Sequence, residues 1–222
     1  MTLEELIAQF RIDAMDRVAP YLWSDESVTG WLNDAQAEAA VRGRLLFEDA
    51  NPAVCNITVQ GGTARYPLHP ALYELSHVAF WREGEARGRK VSLLSTEELD
   101  RTHPGWRERT GCPEYAIQTD TSVRLAFTPN LSGVLKLEGF RLPLQPMEDE
   151  DDTPEIHHAH HRHLLNWALH RAFTVPDSET LDKDRATLAE AAFTDYFGPR
   201  PDSDLRRTGR ADEPHHNIAH WV

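Results

Sequence analysis

The spacing of the apolar residues changes twice along this 222-residue chain, and that change limits the folds open to it. Apolar side chains recur at helical spacing at the N-terminal end, alternate as in strands from Val54, and return to helical spacing after Ile156. The order helices, strands, helices predicts an α+β protein, a helical bundle interrupted by a β-rich insertion. Thr2-x-x-Glu5 is a capping box, and Leu3, Leu6, Ile7, Phe10, Ala14 and Val18 follow at helical spacing until Pro20 stops them. Ser24, with Asp25 and Glu26 in the first turn, caps a second helix whose Val28, Trp31, Leu32, Ala35 and Ala39 form one stripe. The two make an N-terminal helical hairpin.

In the insertion, "VCNITV", a Gly61-Gly62 turn and "ARYPL" read as a β-hairpin. The strands "ELSHVAFW", "KVSLL", "YAIQ", "VRLAF" and "GVLKLEGF" follow, with a short helix capped by Ser95-x-x-Glu98 and a loop "THPGWRERTGCPEY" between them. A third helix runs to about Phe173. A fourth is expected from Pro176-Asp177-Ser178, with Leu181, Leu188, Ala192 and Tyr196 as its apolar stripe and Gly198 at its end. The predicted domains are a helical one at 1–51 and 153–198, a β-rich insertion at 52–147, an acidic linker at 148–152 and a flexible tail at 199–222.

Composition excludes several functional classes. No apolar run approaches the roughly 20 residues of a membrane span, and the first residues are acidic where a secretory signal would be basic. Cys55 and Cys112, far apart and outside any CxxC, suit two buried thiols in a reducing compartment. A formal net charge of −13 argues against a protein that reads nucleic-acid sequence, since phosphate contacts need clustered Lys and Arg. No GxSxG, GxxxxGK[ST] or strand-linked GxGxxG occurs. Trp23, Trp31, Trp81 and Trp106 read as core or interface anchors.

The stretch "PEIHHAHHRHLLNWALHRAF", Pro154 to Phe173, places five histidines in seven residues and raises the question of a metal. His157 with His161, and His160 with His163, have the spacing of two ligands on one helix face. The glutamate of HExxH is absent, and Arg162 stands where an HxHxDH site has its aspartate. On a helical wheel His157, His158 and His161 share a side with Leu165, Ala168, Leu169 and Ala172, whereas His163 and His170 lie opposite. The segment therefore reads as a packing helix with polar decoration. A metal-dependent hydrolase using the His157–His163 cluster is the alternative, and an acidic regulatory module is a third reading that no motif supports.

Three stretches resemble the head-to-tail adaptor (head-completion, or neck) proteins of tailed bacteriophages, similar to the tail tubular protein A group. They are residues 20 to 46, "HPGWRERTGCPEYAI" at 103 to 117, and 154 to 173. The second helix carries the pattern from Glu26 through Val28, Trp31, Leu32, Asn33 and Ala35 to Glu38. The third carries Pro154, Glu155, Ile156, His161, Leu165, Trp167 and Arg171. The resemblance covers roughly residues 1 to 198, weakens in the insertion and ends before the tail.

That resemblance implies a virion structural protein with no enzymatic activity and no cofactor. It would assemble in the host cytoplasm as a ring of about twelve copies under the portal, between the portal ring and a tail nozzle or tail tube protein. DNA would pass through its channel at ejection without sequence-specific contact. Subunit contacts are expected at His157, His158, His161, Trp167 and Arg171. The tail, with Arg200, Arg206, Arg207 and Arg210 and the apolar Ile218, Trp221 and Val222, is expected to bind the portal.

Overall fold

The computed structural model describes residues 1–177 and 180–201 of the chain. In chain order the elements begin with α1 (Leu3–Ala14), α2 (Asp25–Gly43), β1 (Phe47–Glu48), α3 (Pro52–Cys55), β2 (Asn56–Val59), β3 (Arg65–Pro67) and β4 (Leu72–Arg82). There follow β5 (Arg89–Lys90), β6 (Ser92–Leu93), α4 (Thr96–Thr102), β7 (Thr110–Gly111), β8 (Tyr115–Gln118), β9 (Ser122–Leu125), β10 (Thr128–Pro129) and β11 (Gly133–Arg141). Two helices close the described chain, α5 (His161–Phe173) and α6 (Lys183–Phe197). The protein is α+β, as its periodicities predict. It divides into a helical unit, Met1–Leu46 with Arg141–Pro201, and a β-rich unit, Phe47–Phe140.

In the helical unit α5 packs against α1, α2 and α6. The expected caps form: Thr2 and Glu5 close a reciprocal capping box on α1, and the Ser24 hydroxyl accepts from the Ser27 amide at 3.2 Å at the start of α2. The expected stripes Leu3, Leu6, Phe10 and Ala14, and Val28, Leu32, Ala35 and Ala39, are buried. Phe10 and Phe173 both meet the Trp23 ring edge-on at 5.7 Å. Helix α1 stops earlier than Pro20, because Met15 turns left-handed (φ 63°) and its amide bonds back to Arg11 and Ile12. Val18 is thereby left exposed.

Three expectations are corrected here. The fourth helix starts at Lys183 with Asp182 as its cap, not at Pro176, since the Asp182 side chain satisfies the Arg185 amide. Its buried face is Ala186, Phe193 and Phe197, while Leu181, Leu188 and Tyr196 are exposed. The acidic run 148–152 belongs to the helical unit, as do residues 141–147, and it folds against α1. The Asp152 and Glu150 carbonyls accept from the Leu3 and Glu4 amides, donors that a helix N-terminus leaves without partners of its own. Two backbone amides, of Glu148 and Asp149, donate to the Asp152 carboxylate and hold its pKa below the ordinary value. Along the same strap Asn33 exchanges two hydrogen bonds with the backbone of Met147, at 2.9 and 2.8 Å.

In the β-rich unit one sheet has the order β1-β11-β4-β5, with β2 also paired to β11, and another has the order β3-β9-β8-β6. The hairpin expected across Gly61-Gly62 does not form. β2 pairs antiparallel with β11 and β3 with β9, so the two arms enter different sheets. The first residues of "VCNITV" are helical, because Asn51 caps α3 and Pro52 occupies its first turn. Gln118 links the sheets: its side chain accepts from the Leu75 amide at 2.9 Å and donates to the Tyr73 carbonyl at 3.0 Å. In the expected loop the Trp106 ring is buried, donates from Nε1 to Asp100 at 2.8 Å and lies beneath the guanidinium groups of Arg107 and Arg124. Cys55 is buried as expected, while Cys112 is half-buried, and neither forms a disulfide. The chain leaves the helical unit at Leu46 and re-enters it at Arg141, whose amide donates to the Leu46 carbonyl at 2.9 Å.

Gly139, like Gly133, is a point of close approach in the sheet, since a Cβ there would overlap the Glu74 carbonyl oxygen of the neighbouring strand. Gly139→Ala is expected to lower stability by about 1–3 kcal/mol in urea unfolding, as other overpacked sites do. Gly61→Ala, where a Cβ finds ordinary contact distances, is expected to leave the midpoint nearly unchanged.

Candidate functional site

The residues singled out in the sequence converge on the start of α5 and the helices around it. A 3₁₀ turn, His158–His160, leads into α5, and His157 caps it by accepting from the Ala159 amide at 3.3 Å. His157 and His158 are exposed, with ring centroids 4.1 Å apart. His161 turns inward and is buried. Its Nε2 donates to the Ile156 carbonyl at 2.9 Å and its Nδ1 accepts from the Met1 amino group at 2.9 Å, which fixes the neutral tautomer.

The remaining two histidines of the cluster meet α6. The His163 ring stacks on Tyr196 with centroids 3.4 Å apart and planes within 9°, and His160 Nδ1 lies 3.1 Å from the Tyr196 hydroxyl. Arg162 is directed to the Asp13 carboxylate of α1. The histidines therefore point to different neighbours, and among the described residues no three His, Cys, Asp or Glu side chains are arranged to hold a metal ion. The metal-dependent hydrolase reading has no support in this geometry.

Trp167 and Arg171, one turn apart on α5, have different surroundings. Trp167 is buried against Phe193, with centroids 5.1 Å apart, and Arg171 is exposed. Sequence reasoning missed the cation beside Trp167. Arg42 lies 5.2 Å from the Trp167 ring and 5.1 Å from the Phe193 ring, bonded to Glu38 at 2.8 Å and to the Thr194 hydroxyl at 2.9 Å. The i,i+4 spacing of Glu38 and Arg42 was its only signal. Arg200 also meets Glu38, at 2.8 Å, and lies 5.3 Å from Trp167. Arg206, Arg207, Arg210, Ile218, Trp221 and Val222, the expected portal contacts, lie outside the described residues.

A cleft of about 530 Å³ is lined by Leu3, Ile7 and Thr29 and by the acidic residues Glu4, Asp25, Glu26, Glu148 and Glu150. Its five carboxylates give the cleft a negative charge. The residues that shape the unit are those of the motifs: Asn33 holds the strap, Glu38 joins two arginines, and His161, Leu165 and Trp167 bury α5.

The family model of the SU10 adaptor protein matches residues 1–215, nearly the whole chain. The chain belongs to the SU10 adaptor protein family. No curated protein matches it. As an adaptor it is a structural component of a phage virion acting between head and tail. Among the described residues no helix of this SU10-type adaptor is long and apolar enough to cross a membrane.

Two outcomes follow for the histidine region. His161→Ala is expected to cost about 1–3 kcal/mol, the penalty for losing a buried, doubly bonded polar group, read from the urea midpoint. Burial lowers the pKa of His160, His161 and His163 below the usual value, helped at His160 by the neighbouring imidazoles and at His163 by Arg162. The folded chain thus disfavours the charged rings, and on acidification the unfolded chain binds protons first. Their contribution is complete above about pH 6.5 and is lost as pH falls through the depressed values. Urea midpoints between pH 8 and 5 are expected to fall below 6.5, and His160→Gln with His163→Gln to flatten that fall.

Proposed function

We propose that this adaptor forms a ring beneath the portal, joins the portal to a tail nozzle or tail tube protein, and leaves a channel through which the genome passes. The observation that carries this reading is the family match across residues 1–215. Its narrower form, a likeness to the tail tubular protein A group and a ring of about twelve copies, is part of the proposal, by the rule that repeated unlike contacts close into a cycle. The work of such a protein is mechanical, so the reading includes neither a catalytic step nor a cofactor. The net charge of −13 supports the channel, since a negative wall repels DNA and lets it slide.

Subunit contacts are proposed at the five expected positions, in α5 and the turn before it, with divided roles. His157, His158 and Arg171 are exposed and available to a neighbour. Buried His161 and Trp167 act behind them by fixing the backbone of α5. The segment 202–222 is proposed to reach the portal, with Arg206, Arg207 and Arg210 meeting an acidic surface and Ile218, Trp221 and Val222 as apolar anchor. Arg200 is left out of that set, because it is engaged with Glu38 and Trp167.

Deletion of residues 202–222 is expected to abolish capture by purified portal rings while the melting temperature and far-ultraviolet circular dichroism stay as in the full chain. Undiminished capture would remove this segment from the portal contact.

A further inference from the structure

Two groups of large apolar side chains in the helical unit are exposed. The first is the connection between α1 and α2, where Met15 is 81% and Val18 79% exposed, and Tyr21 and Leu22 are exposed beside them. This connection is firmly held from beneath. Buried Asp16 pairs with buried Arg11 and accepts from the Leu22 amide at 3.0 Å, while Arg11 reaches Asp25 at 2.6 Å and lies 3.9 Å over the Tyr21 ring. A loop with so fixed a base that still turns Met, Val and Leu outward is a preorganised contact surface.

The second face is on α6. A surface helix needs one apolar stripe, and α6 uses Ala186, Phe193 and Phe197 for its own core. It carries another at Leu188, Ala192 and Tyr196, spaced four apart, with Leu188 71% exposed. The sequence marks this stripe as apolar; inside the subunit only Tyr196 is used, stacked on His163, and Leu188 and Ala192 are left facing outward.

Charge decides how the two faces pair. Exposed Arg17 lies on the loop, and exposed Asp184 and Asp195 lie on the outer face of α6; none of the three has an ion-pair partner among the described residues. Loop against loop would bring Arg17 to Arg17, and α6 against α6 would bring carboxylates together, whereas loop against α6 joins apolar to apolar and cation to anion. We propose that the α1–α2 loop of one copy docks on the outer face of α6 of a second copy. The inference rests on the ring reading and gives that ring its contact. Because the mating faces differ, the contact is heterologous, and each added copy keeps one free loop and one free face until the cycle closes.

The test uses the full chain with Val18→Asp or Leu188→Asp, both at exposed positions, with unfolding midpoints confirming the fold. In sedimentation over a concentration series the wild type assembles and each variant alone is expected to stay monomeric. An equimolar mixture of the two is expected to stop at a one-to-one dimer, since one variant supplies an intact loop and the other an intact face. A second measurement covers a wild type that assembles only on the portal: in a Cys112→Ser background, Val18→Cys mixed with Ala192→Cys is expected to give a disulfide-linked heterodimer when oxidised there, and neither alone to link. Assembly that survives both aspartate substitutions, loss with only one of them, or no mixed cross-link would each overturn this contact while leaving the ring reading in place. A wild type that stays monomeric both free and on the portal would overturn the ring reading itself.

Discussion

The helical unit is organised by the burial of α5 on three sides. Leu164, Leu165, Trp167, Ala168, Ala172 and Phe173 are all buried, so α1, α2 and α6 must each cover part of it. Each of its large apolar side chains contributes about 1.5–3 kcal/mol when removed from water, and that is the main force holding four helices around one axis. The polar groups that share this burial then need partners. His161 finds two, and Arg42 finds Glu38, Thr194 and two aromatic faces. Motif residues without chemistry of their own are thus explained by what α5 requires.

The elements legible in the sequence were those written in local chemistry. Thr2 with Glu5, Ser24, and Ser95 with Glu98 each cap a helix where their spacing places one. What failed depended on distant partners. Nothing within "VCNITVQGGTARYPL" shows that its two arms pair with β11 and β9, because strand pairing is settled by residues far along the chain. The acidic run resembles a linker by composition, yet it folds against α1 because that helix begins with amides that need acceptors. In α6 the Leu188 stripe and the Phe193 stripe are both apolar, and only the neighbouring α5 decides which one turns inward.

The histidine cluster shows the same division. Its spacing excluded a familiar metal helix, and the wheel placed His161 on the inner side, where it is found buried. The wheel also assigned His157 and His158 to that side, but they precede α5 in a 3₁₀ turn and are exposed. That His163 would stack on Tyr196 could not be read, because that pairing depends on where α6 starts and how it crosses α5. The resemblance read in the sequence rested on packing residues such as Asn33, Glu38 and Trp167, which hold parts of the unit together and report architecture rather than a reaction.

The bond between the Arg141 amide and the Leu46 carbonyl bears on how such a chain can change over time. The long excursion from Phe47 to Phe140 departs and returns at neighbouring points, so to the helices it is a closed loop whose ends are already together. The entropy of closing a loop grows only slowly with its length, and this loop is closed by a folded unit rather than by a floppy one. Strands can therefore be lengthened, exchanged or lost inside the excursion with little consequence for α1, α2, α5 and α6. A lineage could remodel one unit of its adaptor for a new attachment while the other keeps an old one, and likeness to relatives would fade first in the strands.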